Sequence, residues 1–131
     1  MTRCPRWIDE DALILLHAES LAEHGGLEGM RDEGLLESAL ARPQNIHAYE
    51  DIADLARPAA AHAVGIAKNR PFADGNKRAA FLALGLFLGL NGKRLVVDKA
   101  EATRIMLGVA AGDLSEANLA DWIKAHMKRK T

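Results

Sequence analysis

The sequence is poor in the residue types that mark several protein classes. Cysteine occurs once, at Cys4, in 131 residues, so the chain can form neither an internal disulfide nor a cysteine-rich zinc site. The longest apolar run, residues 79–90, is far shorter than the roughly 20 residues that a membrane-spanning helix needs. The first residues contain no apolar segment typical of a signal peptide. We therefore expect a soluble, cytoplasmic protein without a membrane partner.

The residues that are present have the composition of a folded domain. Hydrophobic residues make up 49% of the chain and charged residues 27%, close to the average of globular proteins. A chain of this length is expected to bury about two thirds of its surface in one core. We therefore expect a single domain that spans residues 1–131.

Charge is divided unevenly along the chain. Residues 1–65 carry 5 basic and 12 acidic side chains, and residues 66–131 carry 12 basic and 6 acidic ones, for a net charge of −1. The two halves either neutralise each other within the fold, which we favour, or leave a basic face for a phosphate-bearing or acidic partner. The balanced total argues against direct binding of nucleic acid.

Helical signals dominate the first half. Asp9 can cap a first helix that ends at Gly25–Gly26. Asp32 opens a second helix, which we expect to stop at Pro43 and to be followed by a loop over residues 44–50.

The middle of the chain predicts the centre of the fold. Residues 51–68 are Ala-rich and form one nearly continuous helical element, in which Pro58 marks either a kink or the first turn of a new helix. Residues 79–90 are apolar on every side, which predicts a central helix surrounded by the others.

The last third predicts two more helices. Asp98 with Glu101 and Asp113 with Glu116 have capping-box spacing. Residues 126–130 are expected to be a solvated basic tail, and residues 93–97 are a short extended segment. The predicted fold class is all-α, a compact bundle of about six helices around one buried central helix.

The chemistry is concentrated just before the apolar helix. Gly75, Asn76, Lys77 and Arg78 combine free N–H groups of a helix N-terminus with two cations. Cations there become favourable if a phosphate binds, and Asp74 could hold Mg²⁺ beside the phosphate. In the alternative reading the loop is only polar, with the Asp capping the helix and the cations pairing with the acidic half.

The same residues carry a family resemblance. Residues 69–78, NRPFADGNKR, closely resemble the Fic/Doc signature, His-x-Phe-x-Asp/Glu-Gly-Asn-x-Arg, in the version with Lys before Arg that is typical of Doc-like (death-on-curing) toxins. Residues 25–44 and 81–92 are also similar to that group, so the resemblance covers residues 9 to 97 approximately.

The resemblance implies a toxin of a type II toxin–antitoxin pair. Such an enzyme uses ATP and Mg²⁺ to modify a hydroxyl side chain of a translation factor, in the Doc branch by phosphoryl transfer to elongation factor Tu. Other Fic proteins transfer AMP, and Lys77, where those members usually have Gly, favours the kinase branch. A non-catalytic module that binds nucleotide or antitoxin is a further alternative.

The resemblance also assigns roles to residues. Phe72 would be the buried anchor of the loop and Asp74 the magnesium ligand. The phosphates would be held by the backbone of Gly75, Asn76 and Lys77, and by the side chains of Lys77 and Arg78. The implied partner is a small antitoxin whose helical segment occupies a groove beside the signature loop. That groove would be lined by apolar faces of the first helices and basic residues of the second half.

The signature departs from the family at its catalytic position. The family has a His that takes the proton from the attacking hydroxyl, and this chain has Arg70. A guanidinium stays protonated and cannot accept a proton, and loss of a positioned base typically costs about 10² to 10⁴ in rate. We therefore expect this chain to be impaired or inactive.

Two origins of Arg70 are compatible with the sequence. Either a natural member lost catalysis, or an exchange made a growth-stopping toxin tolerable to the cells that express it. The otherwise intact signature favours the second, because a protein free of catalytic demand should also have drifted at Asp74 or Asn76.

The remaining aromatic and imidazole side chains are expected to be structural. The histidines lack metal-ligand spacing, and we expect none to be catalytic. Trp7 and Trp122 are expected to anchor the edge of the core. The histidines are His17, His24, His47, His62 and His126.

Overall fold

Helices form almost all of the regular structure. The computed structural model describes residues 4–50 and 54–130, without the side chains of residues 49 and 50. In these ranges the elements are α1 (Glu10–His24), α2 (Glu33–Glu50), α3 (Ala56–Asn69), α4 (Asn76–Leu90), β1 (Lys93–Leu95), α5 (Lys99–Ala111), α6 (Glu116–His126) and β2 (Met127–Arg129). The predicted all-α bundle of six helices is confirmed. No helix in the described ranges is both long and apolar enough to cross a membrane.

Local capping explains where several helices begin. The Asp9 carboxylate accepts the Ala12 N–H at the start of α1, and the Asp98 carboxylate accepts the Glu101 N–H at the start of α5. Both caps agree with the sequence-based prediction. Side-chain capping therefore sets these two starts without help from distant residues.

The predicted cap of the last helix is wrong by two residues. Ser115, not Asp113, caps α6, with its hydroxyl accepting the Asn118 N–H. Asp113 is engaged elsewhere, because its backbone N–H donates to the Gly108 carbonyl and closes the end of α5.

Helix α2 continues through Pro43, where the sequence predicted its end and a loop over residues 44–50. Proline removes one backbone hydrogen bond from a helix interior and crowds the preceding turn. Here the Pro43 side chain is fully buried. Burial of its ring, together with the neighbouring Leu40 and Leu36, offsets the lost bond, so α2 reaches Glu50.

The predicted element over residues 51–68 is shorter in the structure. Residues 51–53 lie outside the described residues, and α3 begins only at Ala56, whose N–H donates to the Asp54 carboxylate at 2.9 Å. Pro58 lies in the first turn, where no N–H is required. The reading of Pro58 as the start of a new helix is therefore the correct one.

The sequence predicted that residues 79–90, in α4, form the buried central helix. In the structure the buried central helix is α3. Ala56 and every residue from 58 to 67 are buried, whereas α4 exposes Gly85 and Leu90. Small side chains explain this, because a Cβ at Gly65 would lie 3.3 Å from the Ala39 Cβ of α2. Neighbouring helices therefore pack closely against α3 from several sides.

The basic end of the chain forms a strand rather than a solvated tail. β1 and β2 pair antiparallel, with Lys93 opposite Arg129, Arg94 opposite Lys128, and Leu95 opposite Met127. The last pair packs against the core. The predicted short extended segment over residues 93–97 thus pairs with a strand that follows α6.

Candidate functional site

The signature residues form the connection between α3 and α4. Arg70 ends α3 in the left-handed conformation, with φ 50° and ψ 58°, and its N–H still donates to the Ile66 carbonyl. Pro71 and Phe72 turn inward and are buried, and Asp74 is exposed on the return. The loop therefore presents one carboxylate at the N-terminal end of α4.

Phe72 and Asn76 fix the shape of this loop. The Phe72 N–H donates to the Asn76 Oδ1 at 2.9 Å, and the Asn76 Nδ2 donates to the Phe72 carbonyl at 3.0 Å. Phe72 is only 2% exposed. The Asn76 amide is thus used to hold the loop, and only its backbone N–H is available to an anion.

His17 supports the loop from α1. Its ring stacks on the Phe72 ring with centroids 3.8 Å apart, and its Nε2 donates to the Asp74 carbonyl at 2.8 Å. His17 is 3% exposed. Sequence reasoning gave this histidine no role, although a polar residue between Leu13 and Leu21 on an apolar helix face was an available signal.

Arg31 is a second residue that sequence reasoning missed. Its Nε donates to the Arg70 carbonyl and its Nη2 to the Asn69 carbonyl, both at 2.6 Å. Its backbone N–H donates to the Pro71 carbonyl at 2.7 Å. No local spacing could reveal the side-chain bonds, because the two acceptors lie 38 and 39 residues after Arg31 in the sequence.

The segment before α2 also pairs with the signature loop through its backbone. Met30 forms a β-bridge with Phe72, and the Ala73 N–H donates to the Gly29 carbonyl at 3.0 Å. The loop is therefore held by two parts of the chain, by α1 through His17 and by the segment before α2 through its backbone.

The Asp74 carboxylate is oriented by two backbone groups. The Leu27 N–H donates to Oδ2 at 3.2 Å and the Gly75 N–H donates to Oδ1 at 2.8 Å. These bonds, with the positive charge of Arg78, hold the pKa of Asp74 below its usual range. The group stays ionised near neutral pH.

Gly26 lies directly against this carboxylate. It adopts a φ of +130°, and a Cβ at this position would lie 2.7 Å from Leu21 Cδ2 and 3.1 Å from Asp74 Oδ2. A glycine is therefore required both by the backbone and by the space beside Asp74.

Asp74 fits a divalent cation. It is exposed and ionised, and each of its oxygens has accepted only one N–H, which leaves lone pairs for a metal ion. Hard oxygen ligands of this kind suit Mg²⁺ together with phosphate oxygens. We therefore regard Asp74 as the residue able to hold the metal.

The N-terminus of α4 is open for an anion. No side chain caps it within the described residues, and the helix geometry leaves the N–H groups of Asn76, Lys77 and Arg78 without an acceptor inside the helix. The Gly75 N–H, which we had included in the anion site, already donates to Asp74. Backbone binding of a phosphate would therefore fall to Asn76 and Lys77.

The cations at this end are not used in ion pairs. In the described ranges, the side chains of Arg70, Lys77 and Arg78 are exposed and form no ion pair. The alternative interpretation, in which these cations pair with acidic side chains of the first half, is therefore not supported by the described residues. Two unpaired cations at a positive helix end favour an anionic ligand.

A second acidic cluster lies on α1 and α2. Glu10, Glu33 and Glu37 place oxygens within 4.8 Å of one another. Burial, and then the charge of Glu33, raises the pKa of Glu10. Protonation of Glu10 is therefore easier than that of an isolated carboxylate, and the cluster lies apart from the signature loop in the chain.

Comparisons with known proteins agree with the signature. The Fic/DOC family model matches residues 7–88. The chain is 38% identical over 119 residues to "Protein kinase doc" of Escherichia phage P1, covering 91% of this chain and 94% of that protein. It is 42% identical over 88 residues to "Toxin Doc" of Mycolicibacterium smegmatis, covering 64% of this chain and 65% of that protein.

Proposed function

The chain belongs to the Fic/DOC family, and from that premise we propose that it is the toxin of a toxin–antitoxin pair, built on a fold that transfers a phosphoryl group from ATP to a protein hydroxyl. The observation that carries the proposal is the ionised Asp74 carboxylate, held by two backbone N–H groups beside the open N-terminus of α4. The names of the two relatives support the toxin and kinase assignments.

The phosphates of ATP would lie against the first turn of α4. The backbone N–H groups of Asn76 and Lys77 would donate hydrogen bonds to phosphate oxygens, and the Lys77 and Arg78 side chains would add charge. When bound, Mg²⁺ would neutralise phosphate charge, and Asp74 would be its protein ligand. Phe72, with Asn76 and His17, would keep this arrangement fixed.

The transfer itself requires a base at position 70. A substrate hydroxyl would form a bond to the γ-phosphorus, its proton would pass to the base, and ADP would leave with the electrons of the broken bond. A histidine can take that proton, and Arg70 cannot. We therefore propose that this chain binds nucleotide but transfers phosphate poorly.

The backbone at position 70 suits the restoration of histidine. Its left-handed conformation is one that His adopts more readily than most residues. The Arg70 carbonyl is held by Arg31, so the backbone there does not depend on the guanidinium. The substitution Arg70→His should therefore leave the loop unchanged.

The target and the antitoxin are inferred from the family. We propose a translation factor, elongation factor Tu in the Doc branch, as the phosphorylated protein. The antitoxin would supply a helical segment to a groove beside the signature loop. A cleft of about 350 Å³ adjoins Asn69, and its lining includes Lys68 and the ion pair of Arg42 with Glu116.

Arg70 itself favours a second candidate, a non-catalytic module that only binds nucleotide or antitoxin. Transfer of AMP is the remaining enzymatic alternative. Incubation of the Arg70→His variant with elongation factor Tu and Mg²⁺-ATP separates the three. Phosphoryl transfer adds a phosphate mass to the factor, AMP transfer adds the mass of AMP, and an unchanged factor supports the binding module.

Controls make this experiment specific. The parent chain with Arg70 should label the factor about 10² to 10⁴ times more slowly than the revertant. The double variant Arg70→His/Asp74→Asn should lose labelling, because the metal ligand is removed. Equal labelling by parent and revertant would contradict the role of position 70.

A further inference from the structure

The ribbon formed by β1 and β2 places like charges directly opposite each other. Lys93 faces Arg129, and Arg94 faces Lys128. Residues opposite each other in an antiparallel pair have Cβ atoms about 4.5 to 5.5 Å apart, and like charges at that distance destabilise the pair. We call these four residues, together with Lys130, the basic ribbon.

Among the described residues, no acidic side chain is paired with the basic ribbon. In residues 4–50 and 54–130 none of its five cations forms an ion pair. The Lys130 ammonium group donates to the Gly89 carbonyl at 3.4 Å, near the end of α4. All except the half-buried Lys93 are exposed. The cations are therefore accessible to an external anion.

The register of the ribbon is fixed, so the repulsion cannot be relieved by sliding. The third pair, Leu95 with Met127, packs against the core. Because side chains alternate between the two faces of a strand, Arg94 and Lys128 must then lie on the opposite, outer face. A shift by one residue would expose Leu95 and Met127 instead.

Both strands of this two-stranded sheet are edges, and cations on edge strands discourage unwanted pairing. The like charges nevertheless repel each other across the ribbon. The facing pairs become favourable when a closely spaced polyanion lies across both strands.

We propose that the basic ribbon binds the phosphate backbone of a nucleic acid. Each nucleic acid strand carries a charge about every 3.4 Å, so the cations of the outer face, Arg94, Lys128 and the following Lys130, can be engaged at once, with release of counterions. An acidic protein partner would favour an apolar interface core, whereas the outer pair here is Arg94 with Lys128. The ribbon carries no aromatic side chain for stacking on bases, so binding should be independent of sequence.

This inference goes beyond the proposed enzyme and does not depend on it. It also revises our expectation that nucleic acid is not bound directly. That expectation used the total charge of −1, which averages over charges that the fold keeps apart. The relevant quantity is the local charge of the ribbon.

The test is fluorescence anisotropy of the intact chain with labelled nucleic acid and no ATP. The probes are a single-stranded RNA of about 20 nucleotides and a DNA duplex of about 20 base pairs, measured between about 50 and 200 mM salt. Engagement of about three phosphates predicts a slope of log affinity against log salt of about −3 for the duplex.

Matched variants locate the binding. Arg94→Gln/Lys128→Gln should weaken binding at least about tenfold at low salt and reduce the slope by about 2. Lys99→Gln/Lys124→Gln removes the same charge from exposed positions on α5 and α6 and should leave both values unchanged. Equal weakening by the two double variants would overturn the proposal.

A single substitution separates binding from folding. Arg94→Glu places opposite charges across the ribbon with Lys128, so it should keep or raise the melting temperature while it abolishes binding of the probes. Loss of binding with Lys77→Gln/Arg78→Gln instead would assign the phosphates to α4 and overturn the proposal. Equally tight binding of labelled poly-glutamate through the same residues would overturn it in favour of an acidic protein.

Discussion

The imidazole of His17 lies flat on the ring of Phe72, with centroids 3.8 Å apart and planes inclined by 19°. This contact joins α1 to the signature loop, and the His17 Nε2 donates to the carbonyl of Asp74 at 2.8 Å. One buried histidine thus supports both the apolar anchor of the loop and the residue that carries its charge. The position of the Asp74 carboxylate therefore depends on α1 as well as on the loop itself.

Two substitutions separate the contributions of this histidine. In the Arg70→His background, His17→Phe keeps a ring against Phe72 but removes the donor to Asp74. His17→Gln can keep a donor but removes the ring. Loss of a hydrogen bond at a partly buried site costs about 1 to 3 kcal/mol, so we expect His17→Phe to weaken Mg²⁺-ATP binding about tenfold by calorimetry.

The melting temperature provides the contrast for these variants. His17→Phe should change it less than His17→Gln does, because the ring contact with Phe72 is retained. Unchanged nucleotide affinity in His17→Phe would contradict a positioning role of the Nε2 donor.

Gly26 is expected to control the position of the Asp74 carboxylate. A Cβ at Gly26 would lie 2.7 Å from Leu21 Cδ2 and 3.1 Å from Asp74 Oδ2, so Gly26→Ala must displace one of them. We expect a loss of Mg²⁺-dependent ATP affinity in the Arg70→His background, measured by calorimetry with and without the metal.

Gly29→Ala is the matched control. Gly29 also has a positive φ, of +113°, but an added Cβ would meet nothing within 4 Å. Both variants should therefore lose about 1 to 2 kcal/mol of unfolding free energy from backbone strain, and only Gly26→Ala should lose metal-dependent affinity. Equal affinities would show that Gly26 does not act on Asp74.

His62 is expected to make stability depend on pH. Burial lowers the pKa of His62 from 6.5 to about 4, although its Nδ1 donates to the Pro58 carbonyl at 2.8 Å. Between pH 6.5 and 4 the unfolded chain binds a proton that the folded chain does not, so acidification favours unfolding. The stability that is lost amounts to about 3 kcal/mol of unfolding free energy; it is fully retained above pH 6.5 and fully lost below pH 4.

Urea unfolding at several pH values checks this expectation, with the fluorescence of Trp7, whose ring lies 6.3 Å from that of His62, as one probe. His62→Leu should flatten the fall in unfolding free energy between pH 6.5 and 4, while the same substitution at the exposed His24 should not. A steep fall that persists in His62→Leu would assign the effect to other groups.

Local signals predicted much of this fold. The caps at Asp9 and Asp98 and the end at Gly25 depend on residues within one turn, and the structure agrees with them. The predicted end of α2 at Pro43 was wrong. The destabilising effect of proline in a helix is local and visible in the sequence, whereas the burial that offsets it comes from the tertiary fold.

The candidate site likewise has residues that the sequence predicted and residues that it did not. Asp74 and the cations of α4 are contiguous in sequence, so the charged face of the site could be read directly. Arg31 and His17 reach the loop from 39 and 57 residues away, through backbone carbonyls that have no sequence signature. The pairing of β1 with β2 was missed for the same reason, because α5 and α6 separate the two strands along the chain.

The central claim is that nucleotide phosphates bind at the N-terminus of α4 beside Asp74. Isothermal titration of ATP into the Arg70→His variant, with and without Mg²⁺, tests it most directly when the double variant Arg70→His/Asp74→Asn is measured in parallel. We predict saturable binding that strengthens with Mg²⁺ in the first protein and loses that Mg²⁺ dependence in the second. Binding that is absent from the first protein, or that responds equally to Mg²⁺ in both, would contradict the claim.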